Sequence, residues 1–470
     1  MFNKFAIAAI AAVASAQQIG TNTQEQHLSI SMQECHTGVC ENGNASVVLD
    51  GNWRWLHNVG GYSNCYTGAS WDTNYCPDDK TCAEQCALDG VDMQTWTNTY
   101  GVKSTGNGLN LGFVTQGQYA KNVGSRSFLM DGNNSYKQFK MPNKEISFTV
   151  DVSNMPCGVN GAIYFSQMVA DGGVSEYADD KAGANYGVGY CDAQCPHDIK
   201  FIEGEANSEG WNPSPSDPNA GSGKFGSCCM EFDLWEANSI SQAFTAHPCS
   251  VEQPKKCEGE ECGDNTSGDR YNGVCDKDGC DFATYRHGAT TFYGPGSNFD
   301  VDTTQPFQVI TQFITDNGQD DGTIVEIKRK YVQNGQTIET PGVEIDGKTH
   351  NSLTDDFCSA VKGWFEDEDD FSKKGGMGQM HKALSSGMTL VMSIWDDHDV
   401  NMLWLDSDYP TNADPSKPGV ARGTCSTSSG VPADVEREHP DANYILTDIR
   451  YGAIDSTYGE YYTAPKQFFQ

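Results

Sequence analysis

Eighteen cysteines lie between Cys35 and Cys425, and none precedes Cys35. An even number spread along most of the chain reads as up to nine disulfides formed in an oxidising compartment, and cross-links at that density confine the chain to a tightly tied body. Several cysteines are close neighbours (Cys35/Cys40, Cys76/Cys82, Cys191/Cys195, Cys257/Cys262, Cys275/Cys280), but none forms the paired C-x-x-C spacing of a zinc knuckle. No metal and no cofactor is expected. Cys228 and Cys229 are adjacent; in a strand they face opposite ways and need separate partners, so the segment that follows is anchored.

Lys4, an apolar run from Phe5 to Val13 and the small residues Ala14-Ser15-Ala16 read as a secretion signal over residues 1–16. The exported chain would begin near Gln17. No later stretch carries about 20 uninterrupted apolar residues, so no membrane anchor is expected. A formal charge of -34 argues against nucleic acid or an anionic membrane as partner, since both would repel the chain; a neutral substrate suits it.

Fifty glycines, many Asn/Asp/Ser turns and short alternating strands such as 145–152 and 308–313 indicate an all-β sandwich. Helix-period stretches are few. No Ser/Thr/Pro-rich linker or repeat divides residues 17–470, which read as a single domain, without an added binding module and expected to be a monomer. Two long irregular regions stand out, Ala206 to Ser227 and Ser250 to Gly279; both exceed ordinary connections and could roof a cleft. The acidic run Glu366 to Asp370 reads as a solvated loop, and Asp276-Lys-Asp-Gly-Cys-Asp281 as a disulfide-tied turn more than a calcium loop, since it lacks the bidentate Glu. Sequons at Asn44, Asn133 and Asn265 mark surface sites if they are used.

The chemistry concentrates in Glu231-Phe-Asp-Leu-Trp-Glu236, three carboxylates in one short strand. A regular strand puts Glu231, Asp233 and Trp235 on one face and turns Glu236 away. One extra residue, a β-bulge near Leu234 or Trp235, restores Glu236 to the face of Glu231. Two carboxylates then converge on one bond, as double-displacement glycoside hydrolysis requires at about 5.5 Å. Asp233 between them can hold or share a proton, because packed carboxylates do not all ionise cheaply. A solvated acidic strand edge is the bland alternative. Trp53, Trp55, Trp395 and Trp404 could serve as flat platforms for sugar rings, although any one tryptophan is more often core. Asn52-Trp-Arg-Trp55 read as a strand gives both rings one face, and Trp395-Asp-Asp-His398 sets acceptors beside another ring.

Asn52-Trp-Arg-Trp55, Tyr190-Cys-Asp-Ala-Gln-Cys195, Cys228 to Asn238, His247-Pro-Cys249, Ser393 to Asp397 and Asn401-Met-Leu-Trp404 together resemble glycoside hydrolase family 7, and most of all its cellobiohydrolases, over essentially the whole chain. The resemblance implies a jelly-roll β-sandwich whose loops form a tunnel for cellulose or another β-1,4-glucan, cut with retention and released mainly as cellobiose. It makes Glu231 the nucleophile and Glu236 the acid/base, with Asp233 tuning Glu231 and His247 near the leaving group. It places Trp55 at the entrance, Trp53 further in, Trp395 before the cleavage point and Trp404 after it. Arg270, Asp278, Asp281, Arg286 and Arg422 would grip the product-side sugar. Tyr164, Asp192 and Gln194 would touch the sugars flanking the bond, and Asn52, Arg126 and Tyr190 would join the substrate path. It also implies the pairings Cys191 with Cys229 and Cys195 with Cys228.

Two departures carry expectations. The family commonly has a further disulfide from the N-terminus to the position of Ala87, whose loss should loosen the N-terminal segment by a few kcal/mol. A pair of roof tyrosines is replaced by Thr266 and Asp399, which implies a roof that opens more often and more internal cutting. The competing readings are an open-cleft endoglucanase of the same family, a related β-glucanase acting on mixed-linkage glucan, laminarin or xylan, and a lectin-like sandwich that binds without catalysis.

Overall fold

The computed structural model describes residues 17–36, 39–177, 180–264 and 270–459. The leader-like residues 1–16, the sequon at Asn265 and Thr266 lie outside them. Twelve strands build the body: β1 (Leu28–His36), β2 (Val39–Leu49), β3 (Ser125–Met130), β4 (Lys144–Asp151), β5 (Val159–Ser166), β6 (Glu231–Ala237), β7 (Gln242–His247), β8 (Cys280–Phe282), β9 (Phe307–Thr315), β10 (Ile324–Gln333), β11 (Met388–Asp396) and β12 (Asn443–Ala453). They are hydrogen-bonded in the order β8-β7-β6-β5-β11-β3-β2-β1-β12-β4-β9-β10, and only β1–β12 is parallel.

That path folds back on itself. Phe232 of β6 meets Phe313 of β9 at 5.2 Å between ring centroids, and Trp235 meets Phe307 and Tyr331 at 5.7 and 6.3 Å. Two layers thus enclose one apolar core, the jelly-roll β-sandwich. The outer strands show the pattern such a sheet demands: β1 and β10 alternate buried and open residues. β5 is buried along its whole length because it is covered on both faces, by the core on one side and by long loops on the other. Helices are few, the longest being Asp355–Phe365 and Gly376–Ser386.

All eighteen cysteines are paired. Cys191–Cys229 and Cys195–Cys228 lash the segment before β6 to the loop 190–195, Cys249–Cys275 and Cys257–Cys262 tie the second long loop, and Cys280–Cys358 fastens β8 to the helix Asp355–Phe365. Where the family's extra disulfide would sit, Gln18 and Ile19 pair in parallel with Ala87 and Leu88. Backbone hydrogen bonds hold the N-terminal segment there.

Two local expectations are corrected. Residues 52–55 do not form a strand: Gly51–Trp53 is one 3₁₀ turn, started by the Asp50 carboxylate accepting from the Asn52 N–H. Trp53 and Trp55 remain partly exposed around a buried Arg54, which is fixed by both carboxylate oxygens of Glu25. The region 206–227 is not wholly irregular; Asn212–Pro213 pairs with Gly221–Ser222 as a short hairpin. The run 366–370 is also only partly solvated, since Asp367 pairs with Arg286 and Asp370 is buried beside Lys374.

Candidate active site

β6 carries the expected bulge. Against β5, Trp235 pairs with Ile163 and Asp233 with Tyr164, so Leu234 is the extra residue; the register against β7 slips over the same stretch. The slip sends Phe232 and Trp235 into the core and leaves Glu231, Asp233 and Glu236 on the opposite face. Register carries that face across the sheet. Ser166, Tyr164 and Ala162 of β5 lie beside Glu231, Asp233 and Glu236; Val391, Ser393 and Trp395 of β11 come next, then Phe128 and Arg126 of β3. On the other flank stand His247 and Thr245 of β7, then Asp281 of β8.

A bulge frees a backbone carbonyl, and here the carbonyl of Leu234 accepts a short hydrogen bond from the guanidinium of Arg329 on β10, across the core. Arg329 is fully buried, and among the described residues no carboxylate pairs with it. Its charge lies over the rings of Phe244, Trp235 and Tyr331, at 4.3, 5.9 and 5.9 Å, and its Nε donates to Thr311. Sequence reasoning missed this residue, although an arginine in step with Ile327 and Tyr331 on an alternating strand was a visible signal.

Each carboxylate has a donor. The backbone N–H of Ala193 donates to Glu231 at 3.0 Å, held in place by the two disulfides around loop 190–195. Asn160 of β5, also missed, gives its amide to Glu236 at 3.0 Å and accepts from the Ala237 N–H. His247 Nε2 lies 3.0 Å from Asp233, and its Nδ1 lies 2.8 Å from the Asp276 carbonyl. A carbonyl only accepts, so Nδ1 carries a hydrogen; a second on Nε2 makes the ring an imidazolium facing Asp233. Against the cost of burial, Asp233 and the Asp276 backbone raise His247 to about 9. Gly279 makes room for this ring: at φ +68 it approaches so closely that a Cβ would lie 2.5 Å from His247 Cε1.

Burial, then Asp233, raises Glu236 to about 8, and burial with Asp233 and Asp192 raises Glu231 as well. Glu231 and Glu236 therefore hold protons more tightly than isolated carboxylates do. Glu236 is the more open of the pair, Glu231 being 8 % exposed.

Tyr164, Tyr190, Asp192 and Arg126 form one network beside Glu231. The Tyr164 and Tyr190 hydroxyls are 2.7 Å apart, Tyr190 donates to Asp192 at 2.6 Å, and Arg126 lies 3.4 Å from the Tyr190 ring centroid while pairing with Asp50. Gln194 donates to the Lys277 carbonyl, joining loop 190–195 to the second long loop. Trp395 and Trp404 stack at 6.4 Å, and Trp404 donates to Asp397. Arg270 pairs with Asp278, and Arg286 with Asp281; despite burial, Arg286, His287 and Arg422 hold Asp281 well below the usual carboxylate range. Asp278 and Asp281 thus have separate arginine partners, and Asp276 accepts from the backbone N–H groups of Asp278 and Gly279. Arg126 also lies 5.2 Å from the ring of Trp53. Two residues stand apart from this cluster: the Asn52 amide is taken up by Asp198 and Lys200, and Trp55 packs on His57 and Tyr62.

A β-sandwich whose bulged strand presents two glutamates of raised proton affinity on one face is built for hydrolysis of glycosidic bonds by a pair of acids. Comparison with known proteins narrows the class. The model of glycosyl hydrolase family 7 matches residues 19–458. A family 7 cellobiohydrolase from Daphnia pulex is 54% identical over 94% of this chain and 100% of its own, with a TM-score of 0.93. A cellobiohydrolase from Melanocarpus albomyces, solved with cellotetraose, is 44% identical over the same shares, with a TM-score of 0.88. An endocellulase from Humicola insolens is 33% identical, again over 94% and 100%, with a TM-score of 0.78. The chain belongs to glycosyl hydrolase family 7 and is a retaining glycoside hydrolase.

Proposed function

We propose that this protein is a secreted cellobiohydrolase that cuts cellulose at β-1,4-glucosidic bonds and releases mainly cellobiose from chain ends. The observation that carries the reading is the bulge at Leu234, which sets Glu231 and Glu236 on one face beside Trp395, under loops tied by disulfides. The greater likeness to cellobiohydrolases than to the endocellulase, 44–54% against 33% identity, supports exo over endo action. A lectin-like sandwich would have no use for carboxylates that trap protons.

In the first step the Glu231 carboxylate attacks the anomeric carbon while Glu236 gives its proton to the departing glycosidic oxygen. The C–O bond breaks, a glycosyl ester forms on Glu231, and cellobiose leaves. Glu236, now ionised, takes a proton from water, whose oxygen attacks the same carbon and frees Glu231; two inversions give retention. The role split follows the family's pattern. Asp233 with the His247 cation limits the negative charge beside both acids. Arg126, Tyr164, Tyr190, Asp192 and Gln194 line the path beside the bond, Trp53, Trp55, Trp395 and Trp404 offer platforms, and Arg270, Asp278, Asp281, Arg286 and Arg422 hold the product. Asn52 acts through its neighbours, as a support for Trp53.

Residues 1–16 serve as a cleaved leader, and residues 17–470 work as one monomeric catalytic domain. Nine disulfides support export. Among the described residues no helix is long and apolar enough to cross a membrane. Product analysis on crystalline cellulose tests the whole reading: predominantly cellobiose supports it, and a spread of longer oligomers would instead favour the open-cleft endoglucanase.

A further inference from the structure

Asp396 ends β11, His398 follows two residues later, and Glu436 lies in the short helix Pro432–Glu438. A carboxylate oxygen of each acid and a ring nitrogen of His398 lie within 4.8 Å of one another. The Asp396 side chain is only 6 % exposed, and its Oδ2 is buried with no hydrogen-bond partner among the described residues. From the hairpin region 206–227, Asp217 brings Oδ2 to 4.0 Å from His398 Nε2; Asp396 Oδ1 lies at the same distance on this nitrogen. Both separations are too long for hydrogen bonds, which span about 3 Å.

The ring's orientation explains the spacing. His398 Nδ1 lies 3.0 Å from the Ser216 carbonyl, so Nδ1 carries a hydrogen, and Nε2 faces two carboxylates. A proton or a metal cation on Nε2 would reconcile that arrangement, and the 4.0 Å separations, too long for N–H···O bonds, favour the larger ion. A histidine that ligates a metal characteristically gives its other N–H to a backbone carbonyl. Charge leads to the same place: Asp217, Asp396 and Glu436 contribute three negatives, and Lys121, paired with Glu436, returns one positive, leaving two. The adjacent Asp397 is otherwise engaged, accepting from the N–H groups of Asp399, Val400 and Met402 and from the Trp404 indole. Asp399 is exposed.

We propose that Asp396, His398 and Glu436, joined by Asp217, form a site for a divalent transition cation of the Zn²⁺ type. One imidazole with carboxylates is a donor set that such ions accept. Bonds of about 2.0–2.1 Å put tetrahedral ligands roughly 3.3 Å apart, so the groups close in by about 1 Å on the ion. The ion ties the hairpin region 206–227 to the strand end that follows Trp395. That it thereby closes the roof over a bound chain rests on the cellobiohydrolase reading; the binding does not.

Isothermal titration of the chelator-treated, full-length protein with Zn²⁺ at pH 7 is expected to give one tight site. Asp217→Asn and Glu436→Gln should each weaken it at least about tenfold, while cleavage of a soluble chromogenic cellobioside, which reports folding and catalysis, stays near the parent value. Zn²⁺ should also slow limited proteolysis within 206–227 in the parent and not in the variants. Equal Zn²⁺ affinity in parent and variants, or no binding at millimolar Zn²⁺, overturns the site. Neither result touches the hydrolase reading, which the product analysis decides.

Discussion

One acidic cluster of this molecule, around Glu231, is buried and another, around Asp396, is partly buried, and the protein treats them in opposite ways. Around Glu231, Asp233 and Glu236 each carboxylate has its own donor from a fixed frame: the Ala193 N–H, the His247 ring and the Asn160 amide. Around Asp396 the frame stops short, with an oxygen unpartnered among the described residues and a ring nitrogen facing two carboxylates at 4.0 Å. A cluster completed from within can hold protons in a set geometry and release them one at a time. A cluster left open at its centre waits for an ion, and two of its members belong to different loops. Catalysis needs the first arrangement, and a removable fastening needs the second.

The comparison breaks most severely at Glu231. Glu231→Gln removes the attacking oxygen without changing volume, so hydrolysis should fall at least about 1000-fold while binding to cellulose persists. Pull-down on cellulose beside initial rates on a soluble cellobioside would measure both; a variant that keeps its full rate would remove Glu231 from the nucleophile's role. Arg329→Met comes next. It strips the freed Leu234 carbonyl of its partner in the core, at a cost of about 1–3 kcal/mol, and removes the contact that fixes the bulge. Denaturant unfolding should register the loss of stability. A lower kcat, with a changed pH profile and partial recovery in Arg329→Lys, would separate positioning of Glu236 from loss of stability alone.

Protons give a third, smaller test. Glu236, raised to about 8, is protonated at neutral pH, so activity should decline as pH rises through 8 and the acid is lost. Stability moves the same way. The folded state binds the Glu236 proton more tightly than the unfolded chain, so stability falls from about pH 4.5 to 8. His247, raised to about 9, adds stability that is full below about 6.5 and is lost as pH rises through 9. Unfolding midpoints between pH 5 and 9.5 should therefore decrease, and His247→Gln should flatten the upper part of the curve.

What could be read in the sequence depended on how local its cause was. The bulge was legible because Glu231 and Glu236, five residues apart, cannot share a face of a regular strand, and the extra residue is Leu234. The pairings Cys191–Cys229 and Cys195–Cys228 were legible only through family likeness, since nothing local selects a partner more than 30 residues away. The strand expected at 52–55 failed for a local reason that was overlooked: Asp50 caps the following N–H and opens a 3₁₀ turn. Arg329 showed its burial in the alternation of β10, but its partner, the Leu234 carbonyl, is 95 residues away and leaves no mark in composition or spacing. The Asp396 cluster draws on three separate stretches, so only the folded chain brings it together.

The smallest expected effect concerns the far side of the roof. Asp399 is largely exposed beside the Asp396 cluster, and partial desolvation with the neighbouring Asp397 raises its carboxyl, so it gains little from its surroundings. Thr266, its expected opposite, lies outside the described residues. Replacing both by tyrosine would exchange a carboxylate and a hydroxyl for two rings, and an aromatic pair contributes about 0.5–1.5 kcal/mol beyond its buried area. A bias of that size changes how often a roof opens by roughly two- to tenfold and leaves the acids untouched. Thr266→Tyr/Asp399→Tyr should therefore lower internal cuts on cellulose, read as new insoluble reducing ends per cellobiose released, with no change in rate on a soluble cellobioside. An unchanged ratio would mean that the fastening at His398, and not the aromatic contact, governs opening, and Asp217→Asn in the same assay would then shift the ratio alone.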